Sequence, residues 1–178
     1  MSIFNGEQEP IHKVVEDYAA LATVVHGLWA LNYQVVFTMG SWDLLHIGHV
    51  RYLRKARAEG DILVVGVDTD EAVKRYKGPL RPVVPYAERL EMLTYQSCVD
   101  LVTKIEDVDE QGKWMYGLIR AINPDVFVAV EDSYPPDQLA EIGKYCKRLE
   151  IMPRQAERTS TTRIIQGAVK KHLIEMLD

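Results

Sequence analysis

Apolar positions along the chain alternate between helical and strand spacing. Ile11, Val14, Val15, Tyr18, Ala22, Val25 and Trp29 recur at helical intervals behind Pro10, a residue suited to a first helical turn. They predict one amphipathic helix lying against the main body. Gln34–Met39 (QVVFTM) is a short β-branched and aromatic run that reads as a buried strand and ends at Gly40. Ile47–Glu59 returns to helical spacing and stops at Gly60. Ile62–Val67 (ILVVGV) is uninterrupted apolar sequence, as in strands covered on both faces. The rest of the chain reads as helix Asp70–Tyr76, a Gly- and Pro-rich loop from Lys77 to Pro85, helix Tyr86–Gln96 and strand Val99–Thr103. Helix Trp114–Ile122, strand Val126–Val130, helix Pro136–Arg148, strand Leu149–Met152 and a last helix from Thr161 to Leu177 complete it.

Strands alternating with helices imply an α/β fold: an open sheet of about five mostly parallel strands with helices on both faces, Rossmann-like in its winding. Right-handed crossovers then put the functional loops at the carboxyl ends of the strands, near the switch in strand order. Residues 1–33 are expected to form a helical extension and residues 34–178 the α/β domain itself. Internal repeats and low-complexity segments are absent.

A length of 178 residues allows one sizeable core and is short for two domains. No apolar run reaches the roughly 18 residues of a membrane span, and Met1–Pro10 lacks the layout of a secretory signal. Cys98 and Cys146 are far apart and outside metal-type spacing, so they read as buried thiols of a reducing, cytoplasmic compartment. The net charge of −5 argues against a dedicated nucleic-acid partner. It leaves a small anionic ligand open, because Lys74, Arg75, Lys77 and Arg81 form one basic group and Arg154, Arg158 and Arg163 another.

The chemistry concentrates in Thr38–His49 (TMGSWDLLHIGH), at the end of the first strand and the start of a helix. Gly40 permits a tight turn and close ligand approach. The helix from Ile47 aims free N–H groups and the positive end of its dipole at the same place. His46 and His49 are three residues apart, so both imidazoles can face one point and donate to a phosphorus centre gaining charge. A surface pair of histidines or half a metal site are the alternatives. Further ligands at matched spacing are lacking beyond Asp43, and no protein metal site is expected.

His-Ile-Gly-His after a strand resembles the signature of the HxGH nucleotidyltransferase superfamily, and the whole chain is similar to its cytidylyltransferase-like branch. That branch includes the glycerol-3-phosphate and ethanolamine-phosphate cytidylyltransferases and the nucleotidyltransferase half of ADP-heptose synthase. The resemblance extends to Gly60-Asp61 before ILVVGV, to Asp68-Thr69-Asp70 after it, and to the loop Lys77–Pro85 with Arg89, which is most similar to the ADP-heptose synthase pattern. Ser160-Thr161-Thr162 resembles the segment opening the family's last helix.

The resemblance implies transfer of a nucleotide from an NTP, ATP or CTP, to a phosphorylated small molecule such as a sugar or polyol phosphate, with release of pyrophosphate and Mg²⁺ as cofactor. His46, His49 and Lys77 are the expected catalytic residues, Lys77 as a mobile charge on the phosphates. Thr38, Gly40, Ser41, Trp42, Asp43, Gly48, Arg89, Arg154, Ser160, Thr161 and Thr162 are expected at the nucleotide, with Arg163 beside Arg154 at the pyrophosphate. Asp43 reads as an organiser of the phosphate loop, and the Ser-Thr-Thr hydroxyls as phosphate ligands, helix caps or both.

The pattern departs at Val130–Pro136, where relatives commonly carry glycine and this chain carries Glu131 and Asp132. Trp42 and Met39 are larger than is usual in their places, and Ser97 stands where the glycerol-phosphate group has arginine. Family members often pair as dimers, so the resemblance also implies a homodimer, to whose surface Trp29, Trp114 and the N-terminal helix could contribute. Alternatives are a non-catalytic nucleotide-binding protein of the same fold, an aminoacyl-tRNA-synthetase-like protein, which the absence of a Lys-Met-Ser-Lys-Ser segment opposes, and an adenylyltransferase of cofactor biosynthesis, which would need an apolar acceptor pocket.

Overall fold

The computed structural model describes residues 10–176. Five strands, β1 (Val35–Gly40), β2 (Ile62–Asp68), β3 (Leu101–Ile105), β4 (Val126–Val130) and β5 (Arg148–Met152), form one sheet in the order β3-β2-β1-β4-β5. All four pairings are parallel. The order reverses between β1 and β4, which opens a crevice at their carboxyl ends.

Seven α-helices connect and cover the strands: α1 (Tyr18–Ala30), α2 (Ile47–Arg57), α3 (Asp70–Lys77), α4 (Tyr86–Thr94), α5 (Gly117–Ile122), α6 (Pro136–Ile142) and α7 (Thr161–Glu175). The alternation of side chains along each strand divides the core into two layers. On one face Val35, Phe37, Ile62, Val64 and Phe127 meet Leu21, Val25 and Leu28 of α1 and Leu118, Ile119 and Ile122 of α5. On the other, Val36, Leu63, Val65 and Val128 meet Tyr52, Leu53 and Ala56 of α2 and Leu93 of α4.

Several segments depart from the sequence-based expectation. The single N-terminal helix is interrupted: a 3₁₀ turn at Pro10–Lys13 precedes an extended stretch in which Val14 bridges to Val102 and the Val15 N–H donates to the Val102 carbonyl at 2.9 Å. Asp17 then caps α1, accepting from the Ala20 N–H at 2.7 Å. β-Branched Val14 and Val15 suit a strand edge, and an Asp carboxylate offers the backbone an alternative to continuing a helix. Strand β3 begins two residues later than expected, at Leu101. Asp100, just before it, accepts from the Leu63 N–H at 2.9 Å and pairs with Arg57 at 2.9 Å.

The helix expected from Trp114 begins only at Gly117, because Trp114 turns inward to bridge with Val108 and stack on Phe127. Trp114 is therefore core, 3% exposed, and supplies no surface to a dimer. Asp107 fixes this turn by accepting from the Trp114 indole at 3.0 Å, the Gly117 N–H at 2.5 Å and the Tyr18 hydroxyl at 2.9 Å. The helix from Pro136 stops at Ile142 and passes through a 3₁₀ turn, Gly143–Tyr145, rather than continuing to Arg148. Cys98 and Cys146 are free and half-buried, and burial raises both thiols.

Phe37 is fully buried between Trp114 and Phe127, with ring centroids 6.2 and 5.5 Å away. Phe37→Ala is expected to lower the unfolding free energy by about 3–5 kcal/mol, read from urea titration followed by tryptophan fluorescence.

Candidate functional site

The turn after β1 is held in an uncommon shape. Trp42 and Leu44 both take left-handed backbone angles, φ 51° and 48°, a conformation costly for residues with side chains. Asp43, between them and wholly buried, offsets that cost. Its carboxylate accepts from Arg81 Nε at 2.8 Å and from the Val83 and Val84 N–H groups at 3.1 and 3.0 Å. Burial by itself raises this carboxyl, but the two backbone donors and the Arg81 guanidinium outweigh it and keep it below the usual carboxylate range. Trp42 folds under the turn, donating its indole N–H to the Gly66 carbonyl at 2.8 Å and setting its ring against His49.

At the start of α2 the two imidazoles stack, centroids 3.9 Å apart and planes 20° from parallel. His46 Nδ1 accepts from the Gly48 N–H at 3.1 Å and His49 Nδ1 from the His46 N–H at 3.4 Å. The histidines thus cap their own helix, which leaves Nε2 of each neutral ring as the N–H donor. Gly48 is required by this packing: a Cβ there would lie 2.9 Å from His46 Cε1 and 3.0 Å from the Ala156 Cβ. Burial, then the neighbouring charges of His46 and Lys77, depress His49 to about 3, and burial lowers His46. Both rings are neutral near pH 7.

These elements line a cavity of about 880 Å³ at the switch point. Lys77, at the end of α3, donates to Ser41 Oγ at 2.7 Å. Its ammonium is depressed first by burial and then by Arg81, against the opposing pull of Asp68 and Asp43. Across the cavity stands the N-terminus of α7. Ser160 Oγ caps it, accepting from the Arg163 N–H at 3.3 Å, and the Thr161 hydroxyl donates to the Asp43 carbonyl at 2.8 Å. The last helix is thereby tied to the first loop across 118 positions of sequence.

The cavity brings together Gly40, Ser41, Trp42, His46, Gly48, His49, Lys77, Arg154, Ser160, Thr161 and Thr162. Thr38, Asp43 and Arg89 are not on its lining. The strand alternation turns Thr38 toward α2, where its hydroxyl lies 2.7 Å from that of Tyr52. Arg89, 1% exposed, lies beneath the loops. It donates to the Ser41 carbonyl, to the Val84 carbonyl at 2.9 Å, to the Asp68 carbonyl at 2.8 Å and to the Asp70 carboxylate at 2.7 Å. Arg163 donates to the Glu157 carbonyl at 2.7 Å and also lies outside the lining. Arg154 lies on the rim, paired with Asp132 at 2.5 Å.

Another part of the wall lies outside the expected site residues. Asp68 and Tyr76 line it, with Tyr76 donating to Asp68 Oδ2 at 2.5 Å. Arg81, Gln111, Lys113, Tyr134 and Gln138 line it too. The loop at 108–114 carries no motif. Only the inward turn of Trp114 brings it to the cavity. Tyr134 packs edge-on against Phe127 in the segment where glycine is missing.

The paired imidazoles open α2 at the switch point of a parallel doubly wound sheet, the place where such sheets take their ligands. The chain belongs to the cytidylyltransferase-like family, whose model matches residues 37–167. Bifunctional protein HldE of Geotalea uraniireducens (strain Rf4) is 36% identical over 163 residues, which cover 92% of this chain and 31% of that protein. The HldE of Helicobacter pylori (strain HPAG1) is 40% identical over 139 residues, 78% of this chain and 28% of that protein. The chain thus spans about a third of the length of these relatives. In fold it is similar to a lipopolysaccharide core biosynthesis protein from Thermoplasma volcanium GSS1, with TM-score 0.60, 23% identity and coverage of 70% and 99% of the two chains. It is likewise similar to a pantoate-beta-alanine ligase from Francisella tularensis, with TM-score 0.56, 14% identity and coverage of 81% and 67%.

Two outcomes follow from this geometry. Arg89→Met leaves three carbonyls and a carboxylate without their donor. It should cost about 3 kcal/mol or more in urea unfolding of the ligand-free chain. For His49, the unfolded ring takes a proton near 6.5 and the folded one only near 3. Full stability therefore stands above pH 6.5 and is lost progressively as pH falls toward 3. The urea midpoint of the wild type should fall more steeply over that window than that of His49→Gln.

Proposed function

We propose that the chain transfers a nucleoside monophosphate from an NTP to a phosphorylated small molecule, with a sugar phosphate as acceptor and pyrophosphate as the second product. The observation that carries this reading is the self-capped histidine pair, which presents N–H donors to the cavity shared with Lys77 and the α7 N-terminus. An acceptor phosphate oxygen attacks the α-phosphorus. The new P–O bond forms as the bond to the β-phosphate oxygen breaks, and the electron pair leaves with pyrophosphate.

The Nε2 protons of His46 and His49 meet the non-bridging oxygens as they gain charge, without a change in protonation of either ring. Lys77, anchored on Ser41, supplies the point charge. The α7 N-terminus with Ser160, Thr161 and Thr162 receives the β- and γ-phosphates. Catalysis is positioning and charge stabilisation, as in other phosphoryl transfers. Mg²⁺ neutralises phosphate charge when bound. NTP oxygens and water would carry the ion. The likeness of the loop Lys77–Pro85 to the ADP-heptose synthase pattern favours ATP as donor.

Pyrophosphate release measured with each of the four NTPs against phosphorylated sugars, polyols, amino alcohols and cofactor precursors tests the reading. Release dependent on one sugar phosphate is the expected result, and binding of nucleotide without release for any acceptor would overturn it. His49→Ala should lower turnover by about 10²-fold or more with NTP affinity within a few fold. Lys77→Ala should weaken NTP far more than the corresponding nucleoside.

A further inference from the structure

Lys77 is a cation beside carboxylates, yet among the described residues it pairs with none of them. Its hydrogen bond goes to a neutral group, Ser41 Oγ, at 2.7 Å. Two of the nearby acids are engaged elsewhere. Asp43 is held by Arg81 at 2.6 Å and by the Val83 and Val84 N–H groups, and Asp70 by Arg89 at 2.7 Å. Asp68 is different. It ends β2, is 5% exposed, and among the described residues its carboxylate accepts from the Tyr76 hydroxyl alone, at 2.5 Å.

Arg89 donates to the carbonyls of both Asp68 and Ser41, so the carboxylate and the anchor of Lys77 are held side by side. Tyr76 touches every member of this group. Its hydroxyl meets Asp68 and the Ser41 side chain, and the Lys77 ammonium lies 5.4 Å from its ring centre. Burial and Arg81 depress the Lys77 ammonium while Asp68 and Asp43 oppose them, so the Asp68 and Lys77 charges are near enough to act on each other.

The last turn of α3, which carries Tyr76 and Lys77, is fixed from outside. Arg75 donates to the Val108 and Asp109 carbonyls at 3.3 and 2.8 Å. Gly112 comes so close that a Cβ there would lie 2.9 Å from the Arg75 Cβ and 3.2 Å from that of Tyr76. The loop at 108–114 thus clamps the backbone that aims Tyr76 at Asp68.

An ammonium makes a stronger pair with a buried carboxylate than with a hydroxyl. A lysine committed to such a pair must break it before meeting a phosphate, and a carboxylate stripped of its donor is a buried charge in need of a cation. Burial, then Asp68, raise the Tyr76 phenol well above its ordinary value, so it stays protonated and keeps donating.

We propose that Tyr76 is a positioning residue for Lys77: by occupying Asp68 with its hydroxyl it keeps the carboxylate from capturing the ammonium, which stays on Ser41 and free to meet the triphosphate. This rests on the reading above for the place of Lys77 at the phosphates, and it adds the group that keeps Lys77 available.

The test is calorimetric titration of the full chain with inorganic tripolyphosphate and with a non-hydrolysable ATP analogue, both with Mg²⁺, and with adenosine as the phosphate-free comparison. Tyr76→Phe keeps the ring beside Lys77 and removes only the hydroxyl. It should weaken both phosphate ligands about tenfold or more and leave adenosine within about twofold. Asp68→Asn removes the competing charge and should bind both phosphate ligands at least as tightly as the wild type. Tyr76→Phe combined with Asp68→Asn should recover wild-type affinity, a rescue that lost packing at Tyr76 would not give. In a Lys77→Ala background Tyr76→Phe should change affinity by less than about twofold, because the residue it acts through is gone.

No loss in Tyr76→Phe, the same loss in the combined variant, or weaker phosphate binding in Asp68→Asn than in the wild type would each overturn the proposal. Asp68→Asn carries the test by itself if Tyr76→Phe does not fold, since weaker binding there would mean that Asp68 supports Lys77 directly. Lys77→Ala tells this proposal from the reading beneath it. Tripolyphosphate held by Lys77→Ala as tightly as by the wild type would sink the phosphate role of Lys77 and the proposal with it. Loss in Lys77→Ala without loss in Tyr76→Phe would sink the proposal alone.

Discussion

The carboxyl-terminal edge of the sheet depends on the Arg89 guanidinium. From α4 it reaches under the loops and donates to the carbonyls of Ser41, Asp68 and Val84 and to the Asp70 carboxylate. Each of those groups ends a segment that carries a cavity side chain or leads into one: the β1 turn, the β2 terminus, the loop after Gly78 and the start of α3. A buried charge is costly unless fully partnered, and here the partners are backbone groups that also need a donor. The two demands meet in one side chain. Asp43 repeats the device one layer higher with opposite sign, gathering Arg81, Val83 and Val84 around its carboxylate and Thr161 onto its carbonyl.

On this frame the site is built from donors whose charge is suppressed. The histidines are kept neutral by burial, to which His46 and Lys77 add at His49, and the lysine is depressed by burial and by Arg81. Neutral Nε2–H groups donate without having to lose a proton, and a partly desolvated ammonium meets a phosphate strongly. Gly48 matters for the same reason. A side chain there would push the His46 ring off its N–H partner.

The acidic segment after β4 does not load the cavity with two free carboxylates as the sequence suggests. Asp132 is paired with Arg154, so the rim carries a matched pair, and Tyr134 turns back onto Phe127. The glycine-free segment substitutes a packed aromatic and an ion pair for close backbone approach. Its influence falls on the shape of the cavity more than on its charge.

The chain's own patterning determined the fold class, the five strands and the phosphate-binding turn, because strand and helix periodicities are local and the His-x-Gly-His spacing sets both rings on one helix turn. The Ser-Thr-Thr cap was legible for the same reason, since its chemistry lies within four residues of a helix start. Asp43 was legible as an organiser of the phosphate loop, whereas Arg89 and Thr38 were recognisable as residues of the site region but not as supports outside the cavity, because whether a polar side chain meets ligand or backbone depends on partners remote in sequence. Tyr76 and the loop at 108–114 carried no local signal, and Asp68 showed only as the residue that closes the second strand. Only tertiary structure decided their place: the inward turn of Trp114 carries that loop over the switch point, and the parallel pairing of β2 with β1 sets Asp68 beside the histidines' turn.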